Sequence, residues 1–224
     1  GYTWEDISYV IGGYWWKARF MDKEGYIITD EPGKNGNEEY LNQWNFANDL
    51  VGKSADWVGF RSGEQNVLFT CGACHTTGYT LSGNQDGKPG LIGSWNEPGV
   101  RCEACHGPGS QHISDPQNIR MSIDRSSDMC AACHSNADLE LVEDVDTSGF
   151  KHPASEMIYR GKHSVLECVD CHDPHSGVVQ PRKEDQPVTV TSCAECHYKE
   201  ADYQKNEMHV KMNMACSDCH MPTI

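Results

Sequence analysis

The sequence predicts a mainly irregular chain with short α-helices, preceded by a small β-containing segment. The helical part is wound around something other than its own side chains. Three observations lead to this class. Only 38% of the 224 residues are hydrophobic, and 21 are glycine and 10 proline, so a conventional core is thin for this length. All 12 cysteines lie from residue 71 onward. Residues 1–70 hold no cysteine and no histidine, but carry five of the six tryptophans: Trp4, Trp15, Trp16, Trp44 and Trp57.

Within residues 1–70, Tyr9–Phe20 and Tyr26–Thr29 are rich in aromatic and β-branched residues. The polar Met21–Gly25 between them predicts the turn of a β-hairpin. Asp30–Asn37 reads as a loop from its proline, glycine and asparagine content. Glu39–Val51 predicts a short helix with Leu41, Trp44, Ala47 and Asn48 on one face. The sequence thus divides into an aromatic-rich segment, 1–70, and a cysteine-rich domain, 71–224. Ser82–Gly93 and Gln180–Val190 read as linkers or surface loops within the second.

The cysteines fall into six pairs, each separated by two residues and followed at once by histidine. They are Cys71, Cys74 and His75; Cys102, Cys105 and His106; Cys130, Cys133 and His134; Cys168, Cys171 and His172; Cys193, Cys196 and His197; and Cys216, Cys219 and His220. Two cysteines three positions apart share one face of a helical turn, within reach of the two vinyl-derived carbons of one porphyrin. The adjoining histidine then sits under the iron. This five-residue pattern is that of c-type haem attachment. Paired cysteines also suit zinc, and many cysteines in an exported chain suit disulfides. Six copies that consume every cysteine weigh against both. The motifs recur without a fixed period, so the chain is not a solenoid. Residues 71–224 supply about 26 residues per motif, far fewer than the roughly 100 of an ordinary domain. The expected interior is therefore a stack of six haems c, and residues 1–70 are expected to be haem-free.

Removing the six proximal histidines from the 11 leaves His112, His152, His163, His175 and His209. Each is a candidate distal ligand, because six irons each take a second axial group and imidazole is a favoured iron ligand. His112 follows the Gly107-Pro108-Gly109 turn, and His175 lies three residues past His172 across Pro174. Both are steered away from their own haem toward a neighbour. Five ligands for six irons leave one short. Either a methionine completes that site (Met121, Met129, Met208, Met212 and Met214 lie near motifs), or one iron is open to solvent or a small ligand.

The formal charge is −15, from 33 acidic and 18 basic residues, and haem propionates add to it. Such a surface disfavours nucleic acid and anionic membrane as partners and favours cationic proteins, metal ions and oxidised minerals. Solubility alone is the plainer explanation of the same charge. No apolar run reaches 18 residues, so no membrane span is expected. The start shows no signal-peptide pattern, and thioether attachment takes place outside the cytoplasm. Export with the signal already removed is the expectation, to the extracellular space or cell surface, with the periplasm as alternative.

The stretches Cys71-Gly-Ala-Cys-His-Thr-Thr-Gly-Tyr79 and Gly99-Val-Arg-Cys-Glu-Ala-Cys-His-Gly-Pro-Gly-Ser-Gln-His112 resemble the cytochrome c554-like group of multihaem cytochromes. So do Cys-His-Asp-Pro-His175 and Cys-His-Met-Pro222. The resemblance covers Cys71 to the C-terminus. It implies haem pairs stacked alternately parallel and perpendicular, the six motif histidines as proximal ligands, and His112 and His175 as distal ones. Some members keep one open haem. The departure is Thr223, where a histidine often follows the proline.

Five bis-histidine sites imply low potentials, since a histidine–methionine pair raises the potential of a haem. The expected function is electron conduction to other redox proteins or extracellular acceptors. Homopolymerisation into a filament is compatible with attachment near the C-terminus and with an aromatic segment that docks on a neighbouring copy. The alternatives are a reductase of a small nitrogen or sulfur oxyanion at one open haem, and a structural filament whose conduction is incidental. A reductase requires cationic and acid–base groups above its iron, and no histidine is left over for that role.

Overall fold

A computed structural model describes residues 1–14, 16–48, 52–134, 162–176 and 189–220, the side chains of 217 and 218 excepted. Trp15, His152, Val51 and most of Gln180–Val190 therefore lie outside the described residues. The chain divides into two compact units, one of Gly1–Asp124 with Ala131–Pro153 and one of Arg125–Cys130 with Ala154–Ile224.

The first unit is built on an antiparallel sheet of β1 (Tyr9–Gly12), β2 (Lys17–Met21), β3 (Gln43–Asn45) and β4 (Asp56–Val58), in that order. The β1–β2 pairing closes at Gly12 opposite Ala18, so the hairpin lies earlier than the sequence predicts. Gly12 permits it: φ is +76°, and a Cβ there would stand 2.4 Å from the Lys17 carbonyl oxygen. Met21–Gly25 still turns, with the Asp22 carboxylate accepting from the amides of Glu24 and Tyr26 and Met21 bridging to Ile27.

The helix expected over Glu39–Val51 is corrected to strand β3. The spacing of Leu41, Trp44, Ala47 and Asn48 fits a helical face, but short apolar runs are ambiguous and cross-strand partners decide them. Trp44 pairs with Ala18 on one side and Trp57 on the other, its ring 5.5 Å from that of Trp57. Phe20 and Trp4 continue this aromatic row across one side of the sheet. Trp4, Phe20, Tyr40, Leu41 and Trp57 line an open groove of about 560 Å³.

The hydrophobic core joins Met21, Ile27, Val67, Phe69, Leu91 and Trp95, with Tyr9, Ile11, Phe60, Cys71 and Tyr79 packed against it. It therefore runs across residue 70. Ser82–Gly93, expected as a linker or surface loop, is mostly exposed over Ser82–Pro89, but its end enters the core: Gly90, Leu91 and Gly93 are buried. Leu91 is fully buried, and Phe69 exchanges backbone hydrogen bonds with Gly90 and Ile92. The polar residues that suggested a loop do face water, but Asn84 ties them down by donating to the Leu91 carbonyl.

Tyr9 fastens the hairpin to this segment by donating to the Asp86 carboxylate at 2.6 Å. Burial first, and then the hydrogen bond and charge of Asp86, push the Tyr9 phenol up to about 12 from its ordinary 10.0. The folded state thus prefers the neutral phenol. That stability is fully present below pH 10 and is lost as pH rises toward about 12. Tyr9→Phe is expected to flatten the decline of the thermal midpoint across this alkaline window.

From Gly72 onward short α-helices appear. The helices are α1 (Gly72–His75), α2 (Cys102–His106), α3 (Ser110–Ser114), α4 (Ser127–His134), α5 (Cys193–Cys196), α6 (Ala201–Gln204), α7 (Glu207–Lys211) and α8 (Cys216–His220). Among the described residues, no helix exceeds eight residues. A two-stranded ribbon pairs β5 (Thr76–Thr77) with β6 (Glu97–Pro98). The expected mixture of short helices and irregular chain after a small β region is what the described residues show. Past Trp95, no described residue is a buried hydrophobic, while Val100, Ile113, Ile123, Val165, Tyr203 and Val210 are exposed.

Candidate functional site

Every motif begins at or inside a helical turn. Five lie on α1, α2, α4, α5 and α8, and the fourth starts a 3-10 turn, Cys168–Asp170. In α1 the His75 amide donates to the Cys71 carbonyl, and the fourth and fifth motifs repeat this bond as His172 to Cys168 and His197 to Cys193. That i+4 bond puts the histidine one turn beyond the first cysteine, on the same side as the pair. None of the 12 cysteines is in a disulfide.

The site's fit to haem is tested by its donor chemistry and surroundings. Each motif offers two thiols and one imidazole on a single turn, which suits one porphyrin and its iron. Among the described residues after Trp95 no hydrophobic side chain is buried, and many face outward, so those residues form no apolar core of their own. A flat apolar macrocycle supplies the missing partner surface. The residues present fit the group. Among the described residues, no three His, Cys, Asp or Glu side chains gather as a metal centre.

The first two motifs are tied together by a threonine that sequence reasoning missed. Thr77 is 2% exposed; its hydroxyl donates to the Gly99 carbonyl and accepts from the amide of Arg101, the residue that caps α2. Thr76 closes α1 by donating to the Gly72 carbonyl. Thr77→Val removes both bonds while keeping the shape. The expected cost is about 1–3 kcal/mol from two orphaned backbone groups, read as a lower thermal midpoint.

Gly72 and Arg19 complete the first site. A Cβ on Gly72 would stand 2.4 Å from the Tyr79 ring, so the ring covers α1 at a distance only glycine permits. Burial pushes the Cys71 thiol up, and the Arg19 charge opposes it. The Arg19 guanidinium lies 3.3 Å from the centre of the Phe60 ring and donates to Gln43, and burial pulls it below its ordinary value. The signal for Arg19 was weak: with Lys17 it is one of two cations amid aromatic residues, 52 positions before Cys71. Burial, and next the charge of His134, hold the His75 imidazole below the usual histidine range.

Several predicted ligands have one ring nitrogen fixed. Nδ1 of His106 meets the Ser122 carbonyl at 2.9 Å, that of His112 the Ile119 carbonyl at 2.6 Å, and that of His209 the Tyr203 carbonyl at 2.9 Å. A carbonyl only accepts, so each Nδ1 donates, the bond that metal-binding histidines make with the nitrogen not on the metal. His175 holds its turn through Asp173, which accepts from the His175 amide and lies 3.4 Å from Nδ1. His163 faces His197, Nε2 to Nε2, at 3.5 Å. The fourth and fifth motifs lie side by side, since the Val190 amide donates to the Cys171 carbonyl. Of the candidate methionines, Met121 lies beside Gly109, and Met208 and Met212 are exposed.

No family model matches the chain. It is 28% identical over 166 residues to the multihaem cytochrome MtrA of Shewanella baltica (strain OS185), covering 68% of this chain and 45% of that protein. It is 24% identical over 224 residues to the dissimilatory sulfite reductase MccA of Wolinella succinogenes, covering 83% of this chain and 32% of that one. The chain thus spans less than half the length of these curated relatives. Among solved structures, the undecahaem cytochrome from the S-layer of Carboxydothermus ferrireducens gives a TM-score of 0.47 at 20% identity over 86% of this chain and 36% of its own. The outer cell wall cytochrome OcwA gives 0.36 at 28% identity over 59% and 26%. The likeness to a multihaem cytochrome agrees with motifs that use every cysteine, and supports a multihaem c-type cytochrome with electron transfer as its chemistry.

Proposed function

We propose that the chain is a six-haem c-type cytochrome, of the cytochrome c554-like kind, that passes electrons to other redox proteins or extracellular acceptors and has no substrate of its own. The observation that carries this is the set of six helical turns, each presenting two cysteines and a histidine, with no cysteine spent elsewhere. Bound haem supplies reversible one-electron exchange at its iron, at low potential where both axial ligands are histidines.

The chain's own residues do the rest. Cys71, Cys74, Cys102, Cys105, Cys130, Cys133, Cys168, Cys171, Cys193, Cys196, Cys216 and Cys219 fix the six groups by thioethers. His75, His106, His134, His172, His197 and His220 bind one side of the irons. His112, His152, His163, His175 and His209 serve five of the other sides, and the sixth falls to a methionine or stays open. With about 26 residues per site the chain holds neighbouring groups close. The acidic surface steers cationic partners at long range.

The place of action is the extracellular space or cell surface, with the periplasm as alternative, because thioether attachment belongs outside the cytoplasm. Residues 1–70, free of haem, present Trp4, Trp16, Tyr14 and Trp57 to solvent. An exposed aromatic face of this kind supports docking onto a second copy and growth into a filament.

The similarity to MccA, a sulfite reductase by name, favours a second reading: reduction of a small sulfur oxyanion at one open iron. Low-temperature EPR of the oxidised protein decides between the two. Conduction alone predicts low-spin ferric signals only. A high-spin signal that shifts with cyanide supports the open site, and its complete absence removes the reductase. Native mass spectrometry of undisrupted material tests the filament; a monodisperse single chain contradicts it.

A further inference from the structure

We propose that His163 is the second axial ligand of the iron held at Cys193, Cys196 and His197, so that the fourth and fifth haem sites form an adjoining pair. The inference rests on the reading that each motif binds a haem. It assigns one distal histidine to one iron, which the motif spacing alone does not do.

The geometry is specific. The Nε2 atoms of His163 and His197 stand 3.5 Å apart, the ring centres 5.8 Å apart, and the planes are inclined at 79°. The centres are thus 2.3 Å farther apart than the nitrogens. An imidazole measures only about 1.1 Å from its centre to a ring atom. Both nitrogens therefore point at one another along the line that joins the rings. A hydrogen bond between them would bring the pair to about 2.7–3.2 Å. An ion between two imidazoles, with bonds of about 2 Å on each side, would open it to about 4 Å. The observed gap is wider than the first arrangement and within about half an ångström of the second.

Packing gives no other reason for this encounter. Both histidines are exposed, they are 34 positions apart in sequence, and no buried hydrophobic residue lies in this part of the described chain. On its other side the exposed His197 ring meets the Glu200 carboxylate, 4.0 Å from Nδ1 and beyond hydrogen-bond distance. The chain path agrees. His163 precedes Cys168 by five residues, so the segment that carries the fourth site supplies the ligand of the fifth, and the Val190–Cys171 hydrogen bond brings the two motifs together again.

The test is EPR and resonance Raman spectroscopy of the oxidised holoprotein, with haem content measured on the same samples. His163→Ala is expected to keep six haems and to turn one of the six high-spin, in a form that binds cyanide. In a chain lacking the fifth haem (Cys193→Ala with Cys196→Ala), adding His163→Ala is expected to create no new high-spin signal. His163→Met, which preserves a sixth ligand where the alanine variant fails to fold, is expected to stay low-spin and to raise the potential of one haem. Six haems with an unchanged spin state in His163→Ala, or a new high-spin signal that His163→Ala still adds in the chain lacking the fifth haem, overturns the pairing alone. An unchanged potential in His163→Met counts against it in the same way. A wild-type protein without haem overturns the function on which it rests.

Discussion

Replacing Cys102 and Cys105 together by alanine is expected to lower the haem content from six to five per chain and to loosen α2 and α3. Either cysteine alone retains one thioether, so a single substitution keeps the group and only weakens its hold. The pair removes it. The effect on structure is large because both cysteines are exposed and the side chains around them, Val100 and Ile113 among them, also face outward. Without the macrocycle these residues have no apolar partner, and helices of five residues do not persist by propensity alone. Pyridine haemochrome absorbance per mole of chain reads the first effect. Limited proteolysis between residues 99 and 124 reads the second. An unchanged haem content would show that these cysteines hold no haem.

Leu91→Ala is expected to cost about 2–5 kcal/mol, the range for a large buried aliphatic side chain cut to alanine. Leu91 is the one large hydrophobic that is wholly buried among the described residues, and it sits at the centre of the cluster with Phe69, Val67 and Trp95. Gly25 approaches so closely that a Cβ there would stand 2.6 Å from the Leu91 side chain, so the cavity has little freedom to collapse. Calorimetry should show the loss as a lower midpoint for the transition of the sheet-bearing unit. Haem content should stay unchanged, because no attachment residue is altered. A simultaneous loss of haem would mean that this core also supports attachment at Cys71, which packs against it.

Much of the site was legible because covalent haem attachment requires a rigid local pattern. Two cysteines and a histidine within five residues must share a turn, and every described motif lies at or within a short helical turn. The aromatic N-terminal segment was legible as β structure for the same local reason. What escaped was decided by partners distant in sequence. Trp44 looked helical until Ala18 and Trp57 flanked it, and Leu91 looked like part of a surface loop until it met Phe69 and Trp95. Thr77 was invisible because a buried hydroxyl bridging Gly99 and Arg101 leaves no periodic signal. The facing of His163 and His197 was equally hidden, since nothing in a sequence links positions 34 apart.

The central claim is that every cysteine holds haem. Denaturing mass spectrometry of the purified chain, combined with alkylation of accessible thiols, tests it most directly. The account predicts a mass equal to the chain plus six haems, with no cysteine alkylated. A chain of unmodified mass whose 12 cysteines all react, or one that carries stoichiometric zinc, would contradict it.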